Sequence, residues 1–122
     1  DGLNVRDWIY IDDNCEAIDL LSKKGKIGEI YNIAGNNEEK NIDVAKFILK
    51  ELGKDEKSIE FVKDRPAHDK RYSLDCNKIK TLGFKPKHEF TSALRQTIKW
   101  YKENKSWWEK LKNKKSYNTD YY

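Results

Sequence analysis

Nine consecutive residues, Asp64-Arg65-Pro66-Ala67-His68-Asp69-Lys70-Arg71-Tyr72, form the densest chemical cluster in this chain. Three cations and a histidine stand there beside two carboxylates, in a stretch stiffened by a proline. Such a set suits an anionic ligand. Arg65 and Arg71 offer planar forks that match phosphate oxygens, and the acids can hold arginine geometry or accept from sugar hydroxyls. The same composition also describes a solvated loop laced by salt bridges. His68 fits ligand binding better than the role of catalytic base, and His88 falls in a turn with no evident partner. Cys15 and Cys76 share no Cys-x-x-Cys spacing and have no nearby histidine. They are expected as reduced thiols on helices, without a disulfide framework or zinc site.

The elements that must position the cluster can be read from periodicity. Val5–Ile11 is rich in β-branched and aromatic residues and predicts a strand. Asp12 and Asp13 offer an N-cap, and Asp13 with Glu16 has the spacing of a capping box. The helix that follows places Cys15, Ile18 and Leu21 or Ser22 on one face, and Gly25 is expected to end it in a left-handed conformation. Glu29–Ile33 predicts a short strand that stops at Ala34–Asn37. Asn41 is a good N-cap for a helix with Val44, Ala45, Ile48, Leu49 and Leu52 at helical spacing, closed by Gly53. Ile59–Val62 predicts a third strand. Asp75 can cap a short helix ending at Gly83, and a last helix from about Thr91 carries Phe90, Leu94, Ile98 and Tyr101. This order suggests a mixed α/β fold. Too few helices are present to cover both faces of a parallel sheet.

Composition sets further bounds. Of 122 residues, 37% are apolar and 38% charged, so the core is thin, while 12% aromatics and clear periodicity argue against disorder. The chain opens on Asp1 and has no Met, so it is expected to be a fragment, a processed product or a trimmed piece. No apolar run reaches the length of a membrane span. The net charge of +4 is concentrated near the end, with Lys99, Lys102, Lys105, Lys110, Lys112, Lys114 and Lys115 against Glu103 and Glu109. A solvated face accounts for such a run, and no nucleic-acid motif accompanies it.

Several segments, in order, resemble a known family. Arg6-Asp7-Trp8-Ile9-Tyr10-Ile11-Asp12-Asp13 and Gly28-Glu29-Ile30-Tyr31-Asn32-Ile33-Ala34-Gly35 are similar to segments of extended short-chain dehydrogenase/reductases that act on nucleotide sugars. Asn37-Glu38-Glu39-Lys40-Asn41, the Asp64–Tyr72 cluster, Leu82-Gly83-Phe84-Lys85-Pro86 and Thr97-Ile98-Lys99-Trp100-Tyr101 resemble the dTDP-glucose 4,6-dehydratase family more specifically. The likeness runs from about residue 2 to residue 108. Ala67 stands where that family has glycine.

The resemblance implies a substrate-binding C-terminal region over residues 1–108, joined to the last helix and strand of an incomplete NAD-binding Rossmann fold. Residues 109–122 form a polar Lys/Tyr-rich tail, and the N-terminal Rossmann domain is absent. By the same resemblance, Arg6 and Asn41 bind the nucleotide-sugar substrate around its diphosphate, and Asp64, Arg65, Pro66 and His68 line its nucleoside and phosphate side. Taken alone, Arg6 could equally be a strand-end charge and Asn41 a helix cap; a helix N-terminus is itself an anion-binding position. The family's activity converts dTDP-glucose to dTDP-4-keto-6-deoxyglucose by hydride transfer through bound NAD and loss of water. No Gly-x-x-Gly-x-x-Gly turn is present, nor a Tyr-x-x-x-Lys in the family's upstream context. The segment alone is therefore expected to be inactive, with NAD held by the absent domain.

The parent is expected to be a cytoplasmic homodimeric lyase. The isolated segment, having lost partners for Ile18, Leu21, Ile30 and Ile33, is expected to be weakly stable or self-associated. Other readings are another nucleotide-sugar dehydratase, epimerase or decarboxylase, and a non-catalytic module binding nucleotide sugars or nucleic acid.

Overall fold

The structure, a computed structural model, describes residues 1–112. The readings at Lys114, Lys115, Tyr117 and the terminal tyrosines lie outside the described residues. In chain order the elements are β1 (Val5–Asp7), α1 (Ile11–Lys24), β2 (Glu38–Lys40), α2 (Asn41–Glu51), a 3-10 turn (Glu56–Ser58), α3 (Asn77–Lys80), α4 (Phe90–Glu103) and α5 (Lys105–Lys112). The mixed helix-and-sheet character is as expected. The sheet is not.

β1 and β2 pair antiparallel, with Val5 opposite Lys40, Arg6 opposite Glu39 and Asp7 opposite Glu38. The other edge of β1 is closed by the cluster itself. Val5 donates to the Lys70 carbonyl (2.8 Å) and accepts from Tyr72 N–H (3.1 Å), a parallel bridge between Val5 and Arg71. The predicted strands at 29–33 and 59–62 form no ladder. A strand is a paired state, and Ile30 (82% exposed), Phe61 and Val62 face solvent without a neighbouring strand among the described residues. β2 escapes a pattern search because Glu-Glu-Lys carries no apolar alternation.

α1 also differs at both ends. Its N-cap is Tyr10, and Asp13 lies inside the first turn, 1% exposed. The buried face is Asp13 and Ala17, with Leu20 and Leu21 beside them, while Cys15 and Ile18 are exposed. Leu21 and Ile33 therefore pack against the core, whereas Ile18 and Ile30 stay exposed among the described residues. Gly25 is extended (φ −67°), not left-handed. Glycine is still required, because a Cβ there would lie 2.6 Å from the Leu21 carbonyl oxygen. α2 begins with Asn41 as its first helical residue, not its cap. Gly53 (φ 64°) and Gly83 (φ 101°) do take the left-handed region after their helices.

The main core gathers Ala17, Ala34, Cys76, Ile79 and Phe84, flanked by Ile9, Leu20, Leu21, Tyr31 and Ile33. Burial pushes the Cys76 thiol up, as expected of an inert buried cysteine. α2 packs on α4, with Val44 and Ala93 buried. The two regions are stitched where residues 34–37 cross β1. Trp8 N–H donates to Asn37 O (2.9 Å), Asn37 N–H donates to Asp7 Oδ1 (3.0 Å), and a Cβ on Gly35 would stand 2.1 Å from the Trp8 carbonyl oxygen. Neither backbone can retreat without breaking these bonds. Gly35→Ala is expected to cost about 1–3 kcal/mol in urea unfolding, the usual range for forced overpacking.

Candidate functional site

β1 presents Arg6 to the loop that follows residue 63. The Arg6 guanidinium donates to the Val5 carbonyl (2.7 Å), the Asp69 carbonyl (3.1 Å) and His68 Nε2 (2.9 Å). Its plane lies 4.4 Å from the centroid of the Tyr72 ring, a cation–π contact. Three of its five donor hydrogens are thus engaged and two remain. Buried Asn4 holds the same loop by donating to the Asp69 carbonyl (3.2 Å). Tyr72 OH donates to the Asp69 carboxylate, which raises the phenol's pKa.

His68 sits between two partners. Its Nδ1 lies 2.6 Å from Asp64 Oδ1, and its Nε2 faces Arg6. A guanidinium has no acceptor, so the nitrogen facing it carries the lone pair and the proton resides on Nδ1, directed at Asp64. The His68 hydrogen bond, helped by the Arg65 N–H, holds the Asp64 carboxyl below the usual carboxylate range. Arg6, His68 and Asp64 therefore form one chain of contacts spanning strand and loop.

Pro66 and Ala67 occupy the turn between Asp64 and His68, and Ala67 has φ 55°. A Cβ in that region costs about 1–2 kcal/mol. Part of this is offset by the smaller chain entropy of alanine when unfolded. Ala67→Gly is expected to raise stability by up to about 1 kcal/mol, read as a higher urea midpoint at unchanged slope.

Arg71, whose position in the cluster suggested a phosphate clamp, is engaged elsewhere in the structure. It is turned toward β2, where Nε and an Nη donate to the two Glu38 oxygens at 2.8 and 2.6 Å, and Ser73 Oγ adds a third bond to Glu38. The Arg71 hydrogen bond first, then that from Ser73, brings the Glu38 carboxyl down to about 2. This clasp fixes the end of the loop to the sheet. Arg65 makes no side-chain hydrogen bond or ion pair among the described residues. Asn41 reaches the region through its backbone, donating to the Asn4 carbonyl (3.0 Å) beside β1. The structure links Arg6, His68 and Asp64 through His68, sets Arg65 and Pro66 in the turn between Asp64 and His68, and places Asn41 at the start of α2, just past β2. Tyr72 and Asn4 escaped assignment from the sequence, although Tyr72 lies within the cluster.

His88, read as partnerless, has one: its Nδ1 is 3.0 Å from Asp13 Oδ1. Asp13 also accepts from the backbone N–H of Lys87 and of His88, both at 3.1 Å. An apolar groove of about 680 Å³ lies nearby, walled by Tyr10, Ile11, Phe90, Leu94 and Trp100. None of the six candidate site residues lines it. The lysine run behaves as a solvated face where it is described: Lys99 pairs with Glu103 and Lys105 with Glu109. Tyr101 and Lys105 have Tyr-x-x-x-Lys spacing but fall across the α4–α5 break. No long helix among the described residues is entered through a glycine, so these residues do not fit a dinucleotide cradle. They also hold no metal-binding group of His, Cys, Asp and Glu, and no helix long and apolar enough to cross a membrane.

Fold and cluster together define the class, and comparison agrees: the chain belongs to the family described as GDP-mannose 4,6 dehydratase, whose model matches residues 1–97. Within it, the chain is similar to dTDP-glucose 4,6-dehydratase of Streptomyces antibioticus, 42% identical over 115 residues and covering 93% of this chain and 34% of that protein. A crystal structure of dTDP-glucose 4,6-dehydratase from Streptomyces venezuelae, with NAD bound, superposes with a TM-score of 0.87 at 46% identity, covering 91% of this chain and 35% of that one. UDP-glucose 4-epimerase of Thermotoga maritima is more distant, at 28% identity and a TM-score of 0.77 over 84% of this chain and 33% of that one. The chain spans about a third of the length of the curated relatives it matches.

Proposed function

We propose that residues 1–108 are the substrate-binding region of a dTDP-glucose 4,6-dehydratase, gripping the diphosphate of dTDP-glucose. The contact of Arg6 with His68, 62 residues later, carries this reading. It brings a fixed cation and a ring nitrogen together beside the Asp64–His68 turn, whose Arg65 makes no side-chain hydrogen bond or ion pair among the described residues. Arg6 and Arg65 supply charge and directed donors to phosphate oxygens, Asn41 supplies a neutral amide, and Asp64 holds His68 in one tautomer. Nothing in the cluster is placed as a nucleophile or general base, so its work is binding and orientation.

In the whole enzyme, NAD would be held by other residues and would accept and return the hydride. Arg6, Asn41 and the turn from Asp64 to His68 would orient the sugar nucleotide toward it. Residues 109–122 would take no part in binding. Exposed Ile27, Ile30, Phe61 and Val62 favour self-association of the chain when it stands alone.

Titration calorimetry with dTDP-glucose, UDP-glucose and GDP-mannose tests the binding assignment. The reading expects dTDP-glucose to bind most tightly. Equal binding of all three would reduce the site to a general diphosphate clamp, and no binding would remove it. For the enzyme, a protein of the relatives' full length containing these residues should form the 4-keto-6-deoxy sugar from dTDP-glucose with NAD.

A further inference from the structure

We propose that filling this site with a nucleotide diphosphate is coupled to uptake of one proton by His68, so that the ligand converts the ring from an acceptor for Arg6 into a donor to phosphate. The inference rests on the binding reading above and adds a regulatory consequence to it. In the structure His68 Nε2 is occupied by an Arg6 N–H at 2.9 Å, while Nδ1 already points at Asp64. Nε2 cannot be protonated while that contact lasts, because two N–H groups would then face each other. A diphosphate drawing on the Arg6 fork frees Nε2. The phosphate charge and the Asp64 carboxylate then both favour the imidazolium, which donates to a phosphate oxygen through Nε2–H and to Asp64 through Nδ1–H.

The proton comes from solvent and returns to it when the ligand leaves. Each phosphate of a sugar nucleotide carries one ester link, one anhydride link and a single acidic group already ionised at neutral pH, so the ligand itself neither takes up nor releases a proton. The other groups facing the ring do not reverse the sign. Arg6 is the cation being drawn off, and Asp69 is engaged with Tyr72. Lys70 is paired with the Asp1 carboxylate at 3.1 Å. Arg65, engaged with the phosphate alongside Arg6, is neutralised there and does not oppose protonation of the ring.

The sequence holds two histidines, His68 and His88, so ring-nitrogen NMR of the 15N-labelled chain reports on His68 with His88 as internal reference. At about one pH unit above the ordinary histidine value, free His68 should show a protonated Nδ1 and a pyridine-type Nε2. With saturating dTDP-glucose both nitrogens should become pyrrole-type, while His88 stays unchanged. Affinity should weaken by about tenfold per pH unit in this range, as one linked proton requires. His68→Gln keeps an acceptor for Arg6 but cannot take up a proton, and its affinity should be flat with pH. A bound His68 that remains singly protonated, a free ring protonated on Nε2, or a wild-type affinity as flat as that of His68→Gln overturns the proposal. If dTDP-glucose shifts no resonance of residues 64–72, the binding reading fails and takes this inference with it; binding without proton uptake removes this inference alone.

Discussion

Asp13→Ala is expected to cost the chain about 3–5 kcal/mol, the range for removing one partner of a buried charged pair. The residue is 1% exposed and accepts from two backbone N–H groups and the His88 ring. Truncation leaves those donors facing a void, and an unsatisfied buried donor costs more than the net worth of the bond it lost. Whole domains of this size are stable by only about 5–15 kcal/mol, so the variant should be largely unfolded at moderate urea. Asp13→Asn retains one acceptor oxygen and should fall between the two. His88→Ala, which loses only the side-chain bond and the Tyr10 contact, should cost about 1 kcal/mol.

The pH dependence of this clasp has a definite sign. Burial pushes the Asp13 carboxyl up, but the His88 side chain and the N–H groups of Lys87 and His88 outweigh it and leave it below its ordinary 3.8. A depressed carboxylate stabilises the fold fully above that ordinary value. The contribution is lost as pH falls further, through the folded value. The gap between wild type and Asp13→Ala should therefore be constant above that value and narrow only in that acid range, which urea midpoints measured across pH will show.

Arg6→Ala is expected to weaken dTDP-glucose binding about 10- to 100-fold, the range for losing a hydrogen bond to a charged partner. The fold should suffer far less than in Asp13→Ala. Asn4 still holds the loop, the Arg71–Glu38 pair still fixes its end, and the Val5 bonds to residues 70 and 72 are backbone bonds. Arg6→Lys keeps the charge but cannot reach Val5, His68 and Asp69 together, nor stack as well on Tyr72, so it should rescue only part of the affinity. Arg95→Ala removes the pair between Arg95 of α4 and Glu51 of α2 and should leave binding unchanged, the control for a simple loss of positive charge.

Some of this was legible in the sequence, and the divide has physical causes. Helices α1, α2 and α4 were readable because a 3.6-residue stripe is local. Gly53 and Gly83 were readable as helix ends, whereas the left-handed conformation read for Gly25 was not found, because its constraint is the nearby Leu21 carbonyl and not its φ. The strands at 29–33 and 59–62 were over-read, since β-branched residues state a preference but only a neighbouring strand satisfies it. Asp13 was read as a cap because an acid near a helix start looks the same whether its partners are its own N–H groups or those of residues 87 and 88. Arg71 and Arg65 are chemically identical in the cluster, and only the fold shows that Arg71 is paired with Glu38, 33 residues before it. The resemblance implied Arg6 and His68 as candidate site residues; their direct contact required the fold.

The account stands most directly on where dTDP-glucose touches the chain. An amide-shift titration of the 15N-labelled protein should give saturable changes at Arg6, Asn41, Arg65 and His68, with residues 99–112 silent. Changes confined to the aromatic groove or the lysine face of α5, with the 64–72 loop unmoved, would contradict it.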